Sequence, residues 1–313
     1  MTEAGIGWIA LSTSILSAAT FNSFAKALSP ALSPLSLVFV SEVLVLAFVL
    51  LTFGAVPIMK TCAKLTRKDA MWLFILGCIN GLIGPGLWFS GIALTSAVNA
   101  SFFGKSEVVF LMAGAALILR ERITKAHVLA MCTILAGMTV ISLKGFTEGL
   151  QQINTGDMLI MGAAIAFATG SVLCRKNVRH LPPHILLGAR STTAVCGFFL
   201  ISPFVPHTLT AELIALPAIL IPALLGFGFI SRFINSVAFY EALERLPVST
   251  ISLAASIDIV LGTLVAYAML GEPLHWYHGL GGGFIILGTL LLELVGTHKK
   301  EEDLEHHIRQ RHR

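Results

Sequence analysis

Long apolar runs, each bounded by a short polar stretch, follow one another from end to end of this chain. A bilayer core of about 30 Å takes about 20 apolar helical residues to cross. Runs of about that length predict helices over 6–26, 34–56, 70–91, 95–118, 124–143, 156–175, 182–203, 214–241, 246–270 and 274–296. They are continuous rather than alternating, so they lack the period-two pattern of a membrane barrel. The fold class they predict is all-α: a polytopic membrane protein of ten transmembrane helices.

The basic residues give this set an orientation. Of the 21 lysines and arginines, 16 fall on one side of the predicted spans, 2 on the other (Lys26 and Lys144) and 3 within spans (Lys105, Arg190 and Arg232). Cytoplasmic loops carry the excess of Lys and Arg, which places both termini in the cytoplasm of a cell that holds the protein in its inner or plasma membrane. Composition agrees: the chain is 56% hydrophobic and 12% charged, with a mean hydropathy of +0.85, whereas soluble domains carry about 25% charged residues. The net charge of +4 is no nucleic-acid footprint. No basic segment precedes the first apolar run, so no cleavable signal peptide is expected. The five cysteines form no CxxC and read as buried thiols, with neither metal nor cofactor expected.

The second half repeats the first. Thr95-Ser96-Ala97-Val98-Asn99-Ala100-Ser101 aligns with Leu246-Pro247-Val248-Ser249-Thr250-Ile251-Ser252, and the same register pairs Glu107 with Asp258 and Glu121 with Glu272. Pro34 and Glu42 align with Pro182 and Arg190, and Gly7–Lys26 with Gly156–Arg175. The division is a first repeat over 1–148, a second over 149–297 and a cytoplasmic tail over 298–313. Five spans per repeat invert the second copy in the bilayer, a construction of secondary transporters.

The segments ALTSAVNASFF…SEVVFLMAGAALILRERIT and LPVSTISLAASIDIVLGTLVAYAMLGEPL resemble the two EamA-type repeats of the drug/metabolite transporter superfamily. The resemblance covers nearly the whole chain and includes the acidic residues Glu121 and Glu272 that close the fourth and ninth spans. It implies ten helices, both termini inside, and a central cavity lined by spans 1, 3, 4, 6, 8 and 9. One departure is Glu42, in a span where the family segment often carries a basic residue.

Ionisable side chains inside the bilayer cost about 2.5–3.5 kcal/mol each on insertion scales, which makes them functional candidates. Lys105, Glu107, Arg232 and Asp258 all fall near the midplane. Lys105 and Glu107 are two residues apart and do not face each other on one helix, so each needs a partner elsewhere, and Arg232 is a candidate partner for Glu107 or Asp258. Glu42 and Arg190 each lie about 12 Å into their spans, from opposite sides, and can pair as a structural or gating element. Asn22, Asn80 and Asn235, with Trp88 and Tyr240, are further candidates to contact substrate or coupling ion, although an intramembrane Asn often serves packing alone. Pro85 and Pro222 are candidate kinks. Gly77-x-x-x-Gly81 and Gly279-x-x-x-Gly283 match the small-residue packing pattern; internal packing is the expected use of the second, and a homodimer contact the alternative to a monomer.

The expected function is transport of small polar or zwitterionic metabolites, amino acids among them, by alternating access, with protons or substrate exchange as candidate coupling. The mixed charges favour a zwitterion over a bulky lipophilic cation. Efflux of drugs or quaternary cations is the alternative. An intramembrane enzyme is disfavoured, because the spans contain neither HExxH nor GxSxG.

Overall fold

The computed structural model describes residues 3–55, 65–120, 123–143, 154–178, 180–204, 209–246 and 257–291, and every regular element among them is helical. Small polar residues start several helices by accepting otherwise unpaired first-turn N–H groups. Ser33 accepts from Ser36 at α3 (Pro34–Phe53), and Thr66 accepts from Asp69 at α4 (Arg67–Gly77). Ser96 accepts from Asn99 at α6 (Ala97–Gly104), and Thr124 forms a reciprocal capping box with His127 at α8 (Lys125–Ser142). Asn154 caps α9 (Thr155–Asn177).

Several predicted spans are broken where polar chemistry enters. The first divides at Thr20 into α1 (Glu3–Ala19) and α2 (Phe21–Leu28). The Thr20 hydroxyl bonds back to the Ser17 carbonyl at 2.7 Å, a local bond that competes with the helix ladder. The third widens into a π-helical turn over Cys78–Ile83 between α4 and α5 (Gly84–Leu94). Pro85 then sits in the first turn of α5, so a wide turn stands where a simple proline kink was expected. The fourth span is α6 and α7 (Ser106–Ile118), joined at Lys105.

In the second half, α10 (Pro183–Ile201) continues into a 3-10 turn, and α11 (Leu209–Ala215) follows. The eighth span runs through α12 (Ile221–Gly226), a second π-helix over Phe227–Ile234, and α13 (Asn235–Arg245). Pro222 lies in the first turn of α12. There its missing N–H costs nothing, which corrects its reading as a kink: the irregularity of this span is the π turn beyond it. The two π turns occupy matching places in the register that aligns Glu107 with Asp258. The chain continues with α14 (Ile257–Leu270) and a helix α15 over 276–291.

Seven helical stretches among the described residues, from Pro34–Phe53 to Ala218–Phe239, are long and apolar enough to cross a membrane. The other three predicted spans are the divided α1–α2 pair and those ending in α14 and α15, whose far ends lie outside the described residues, as does the tail over 298–313. Large apolar side chains such as Leu51, Leu117, Phe204 and Ile214 face outward, as a lipid-solvated surface allows.

The two halves share one core. Helix α9 packs along α5 and α7, α1 along α13, and α3 along α10 and the second π turn. Glycines set the closest approaches. Gly77 and Gly81 seat the third span on the seventh, so that a Cβ at Gly81 would stand 2.8 Å from the Arg190 carbonyl oxygen. In α15 it is Gly281 and Gly288 that pack on α8, while Gly279 and Gly283 have no neighbour within 4 Å of an added Cβ. The internal packing expected of the 279–283 motif is therefore carried by the adjacent face.

Gly81→Val is expected to lower stability by about 1–3 kcal/mol through overpacking. Gly86→Ala, whose Cβ meets nothing within 4 Å, is expected to leave it unchanged or slightly raised. Thermal unfolding of the purified variants in detergent checks both.

Candidate functional site

The strongest polar cluster is built on Glu42, midway along α3 and fully buried. Its Oε1 accepts from Arg232 Nη2, a buried guanidinium presented by the second π turn. Its Oε2 accepts from the Ser191 hydroxyl at 2.6 Å and lies 3.6 Å from Arg190 Nη2 on α10. Arg232 Nη1 also reaches the Ser41 hydroxyl at 3.4 Å. The expected pairing of Glu42 with Arg190 is present but long. The shorter partner is Arg232, which corrects its assignment to Glu107 or Asp258. The reason is local geometry: the π turn of the eighth span presents Arg232 to α3, whereas Glu107 stands on α7 and Asp258 on α14.

Beside this cluster lies a cavity of about 170 Å³. Arg190 and Arg232 form its charged wall, and Asn80, Ser231, Asn235 and Ser236 supply polar surface. Phe21, Pro85, Trp88 and Phe167 supply the apolar surface. The rings of Phe21 and Phe167 each lie 6.0 Å from that of Trp88. Trp88 is held from behind: its Nε1 donates to Asn22 Oδ1 at 3.2 Å, and Asn22 Nδ2 donates to Ser101 Oγ at 2.9 Å. Gly104 leaves room for the indole. Asn22 is thus a support of the wall. Asn80 packs its amide into the notch at Gly170, where its Oδ1 is buried without a donor. Asn235 Oδ1 accepts from Ser14 at 2.8 Å, and Ser231 shares a 2.6 Å hydroxyl contact with Thr20 at the break between α1 and α2.

Lys105 and Asp258 form a separate ion pair, at 2.7 Å, between the α6–α7 joint and α14. Glu107 forms no hydrogen bond or ion pair among the described residues, and neither it nor this pair lines the cavity. The four midplane charges singled out in the sequence therefore do not converge. Among the described residues the lining comes from spans 1, 3, 6, 7 and 8, which adds span 7 to the expected set and includes no residue of spans 4 and 9. The side chain of Tyr240 lies outside the described residues. Sequence reasoning missed Phe21, Phe167, Ser231 and Ser236. The two serines carry a signal, since they flank Arg232 on one helix and Ser236 donates to the Arg232 carbonyl at 2.8 Å. The phenylalanines carry none, because nothing in their spans separates a cavity-facing ring from a lipid-facing one.

The connection between α5 and α6 is gripped by charged and polar side chains from other helices. Lys26 donates to the carbonyls of Ile92, Ala93 and Thr95 at 2.9, 3.3 and 2.6 Å. Glu272 accepts the N–H groups of Ala97 and Val98 at 2.8 and 2.9 Å, a carboxylate at a helix N-terminus where the dipole favours it. Asp157 accepts from the Thr95 hydroxyl, and Asn154 donates to the Leu94 carbonyl at 3.1 Å. The carbonyls that end α5 and the N–H groups that begin α6 are thus stapled by side chains of both halves. The counterpart of Glu272, Glu121, lies outside the described residues.

An all-helical, multi-pass membrane protein with a polar and aromatic cavity between its halves has the architecture of a membrane transporter. The EamA-like transporter family model matches residues 5–143 and again 154–294, and the chain belongs to that family. It is 26% identical to an "Uncharacterized transporter" of Methanothermobacter thermautotrophicus over 74% of this chain and 66% of that protein. It is 25% identical to "Uncharacterized transporter sll1164" of Synechocystis over 82% of this chain and 74% of that one. A Salmonella typhimurium protein named "Probable amino-acid metabolite efflux pump" is 23% identical over 63% of this chain and 67% of its own length. A solved crystal structure at 18% identity shares the fold with a TM-score of 0.62, covering 92% of this chain and 96% of that one.

Removing the carboxylate of a buried ion cluster leaves its cations uncompensated, at a cost of about 3–5 kcal/mol. Glu42→Gln is therefore expected to reduce stability by about that much. Changing Glu42 and Arg232 together to apolar residues of similar size is expected to recover part of the loss. A double-mutant cycle by thermal unfolding reads the coupling.

Proposed function

We propose that this protein is a secondary transporter that carries a small polar or zwitterionic metabolite, of the amino-acid size class, through the cavity beside Trp88 and Arg232 by alternating access. The observation that carries this reading is the cavity itself: it joins helices of both matched repeats and combines amide, hydroxyl and guanidinium groups with aromatic faces. Sites in inverted-repeat transporters lie near the midplane at the repeat interface, where irregular backbone is tolerated because it lines a cavity. Here the two π turns supply irregular backbone next to the cavity, and π turns recur at functional sites. The staple on the α5–α6 connection fits a conformation closed at that end. The efflux of amino-acid metabolites named for the Salmonella relative supports the same size class.

In this reading the protein sits in the cell membrane with both termini cytoplasmic, and the stapled end faces outward. Two guanidiniums at the cavity oppose a quaternary-cation cargo. Protons are the candidate coupling ion, and Glu107 the candidate to carry them. It lies away from the cavity, so it can titrate without displacing the cargo.

Counterflow of a pooled, labelled metabolite mixture into proteoliposomes tests the proposal. Saturable uptake of one chemical class is expected, reduced about tenfold or more in Trp88→Ala, a loss of about 1.4 kcal/mol of binding. Absence of uptake by folded protein contradicts the reading. A pH gradient is expected to accelerate wild-type transport and to have no effect on Glu107→Gln, which retains counterflow. Equal acceleration of both would remove Glu107 from the coupling.

A further inference from the structure

The cavity carries more positive than negative charge, and this points to the kind of cargo it receives. Arg232 occupies one oxygen of Glu42, and Ser191 donates to the other. Arg190 stands 3.6 Å from that second oxygen, beyond the usual length of about 2.7–3.2 Å for a hydrogen bond. Its Nε is buried without an acceptor. Glu42 itself is fully buried behind the two guanidiniums, and no acidic side chain lines the cavity among the described residues. One carboxylate thus faces two guanidiniums, and the second guanidinium is both under-satisfied and accessible, with 26% of its side chain open. An uncompensated cation in a low-dielectric site is costly until an anion joins it, and a planar guanidinium fork matches a carboxylate bidentately.

We propose that the cargo is a monocarboxylate whose carboxylate docks on Arg190 and whose apolar or aromatic body lies against Trp88 and Phe167. This deepens the transporter reading and rests on that cavity being the cargo site. A carboxylate there completes a two-anion, two-cation cluster. The ring pair Trp88–Phe167, 6.0 Å apart and tilted by 48°, leaves an aromatic flank rather than a second charged anchor. The site therefore favours a monocarboxylate over a dicarboxylate. An amino group is dispensable, because the cavity presents no free carboxylate to receive it.

The test is binding of three near-isosteric probes to the full chain in lipid nanodiscs by titration calorimetry: 3-phenylpropionate, its neutral amide 3-phenylpropionamide, and phenethyltrimethylammonium. The expected order is anion over amide by about tenfold or more, with the cation weakest. Arg190→Gln is expected to erase the preference of anion over amide, and Arg190→Lys to restore part of it. The wild-type ranking needs no variant to fold. Amide binding as tight as the anion, or no binding of the anion, overturns the proposal. So does an Arg190→Gln protein that keeps the full anion preference, or chloride and phosphate competing as well as 3-phenylpropionate. Counterflow separates the two levels: carriage of neutral metabolites with no preference for carboxylates overturns this inference and leaves the transporter standing. Carboxylates that bind but are never carried overturn the transporter reading and leave the carboxylate site.

Discussion

The buried carboxylate of Glu42 is the constraint around which the middle of this molecule is arranged. A charge at that depth survives only with partners, and its partners come from α10 and from the second π turn. Holding them fixes how α3, from the first repeat, packs against the seventh and eighth spans. It also fixes where the guanidiniums stand, and thereby the charged wall of the cavity. Glu42 and Arg190, which occupy aligned positions of the two halves, belong to one cluster.

A second layer of organisation comes from backbone that leaves the regular helix. Thr20 breaks the first span, π turns widen the third and eighth, and Lys105 joins two shorter helices in the fourth. Three of these four irregularities border the cavity: Phe21 follows the break at Thr20, Asn80 lies in the first π turn, and Ser231 with Arg232 lie in the second. The fourth carries the Lys105–Asp258 pair, which does not line the cavity. Irregular turns free polar groups for lateral contacts, and the rings of Phe21, Trp88 and Phe167 line the same cavity.

Helical class and multiple spans were legible in the chain because the hydrophobic runs are long and the charges few. Half of the cavity's polar residues were legible as contact candidates, since Asn80, Arg232 and Asn235 each stand out against an apolar span, and Arg190 stood out as a structural or gating one. Their pairing was not. Depth alone grouped Arg232 with Glu107 and Asp258 and matched Glu42 with Arg190, whereas the actual partner depends on rotation about the helix, which the π turn alters. The same rotation hid the packing face of α15, where Gly281 rather than Gly279 meets the neighbour, while the effect of Pro222 depends on where a helix begins.

The central claim is that cargo occupies the cavity at Trp88. The most direct measurement is the emission of Trp88 alone, in a chain whose other three tryptophans (Trp8, Trp72 and Trp276) are changed to Phe, while a transported metabolite is titrated into proteoliposomes. The account predicts a saturable change whose half-point equals that of counterflow. Transport that saturates with no change in Trp88 emission would place the cargo elsewhere and contradict it.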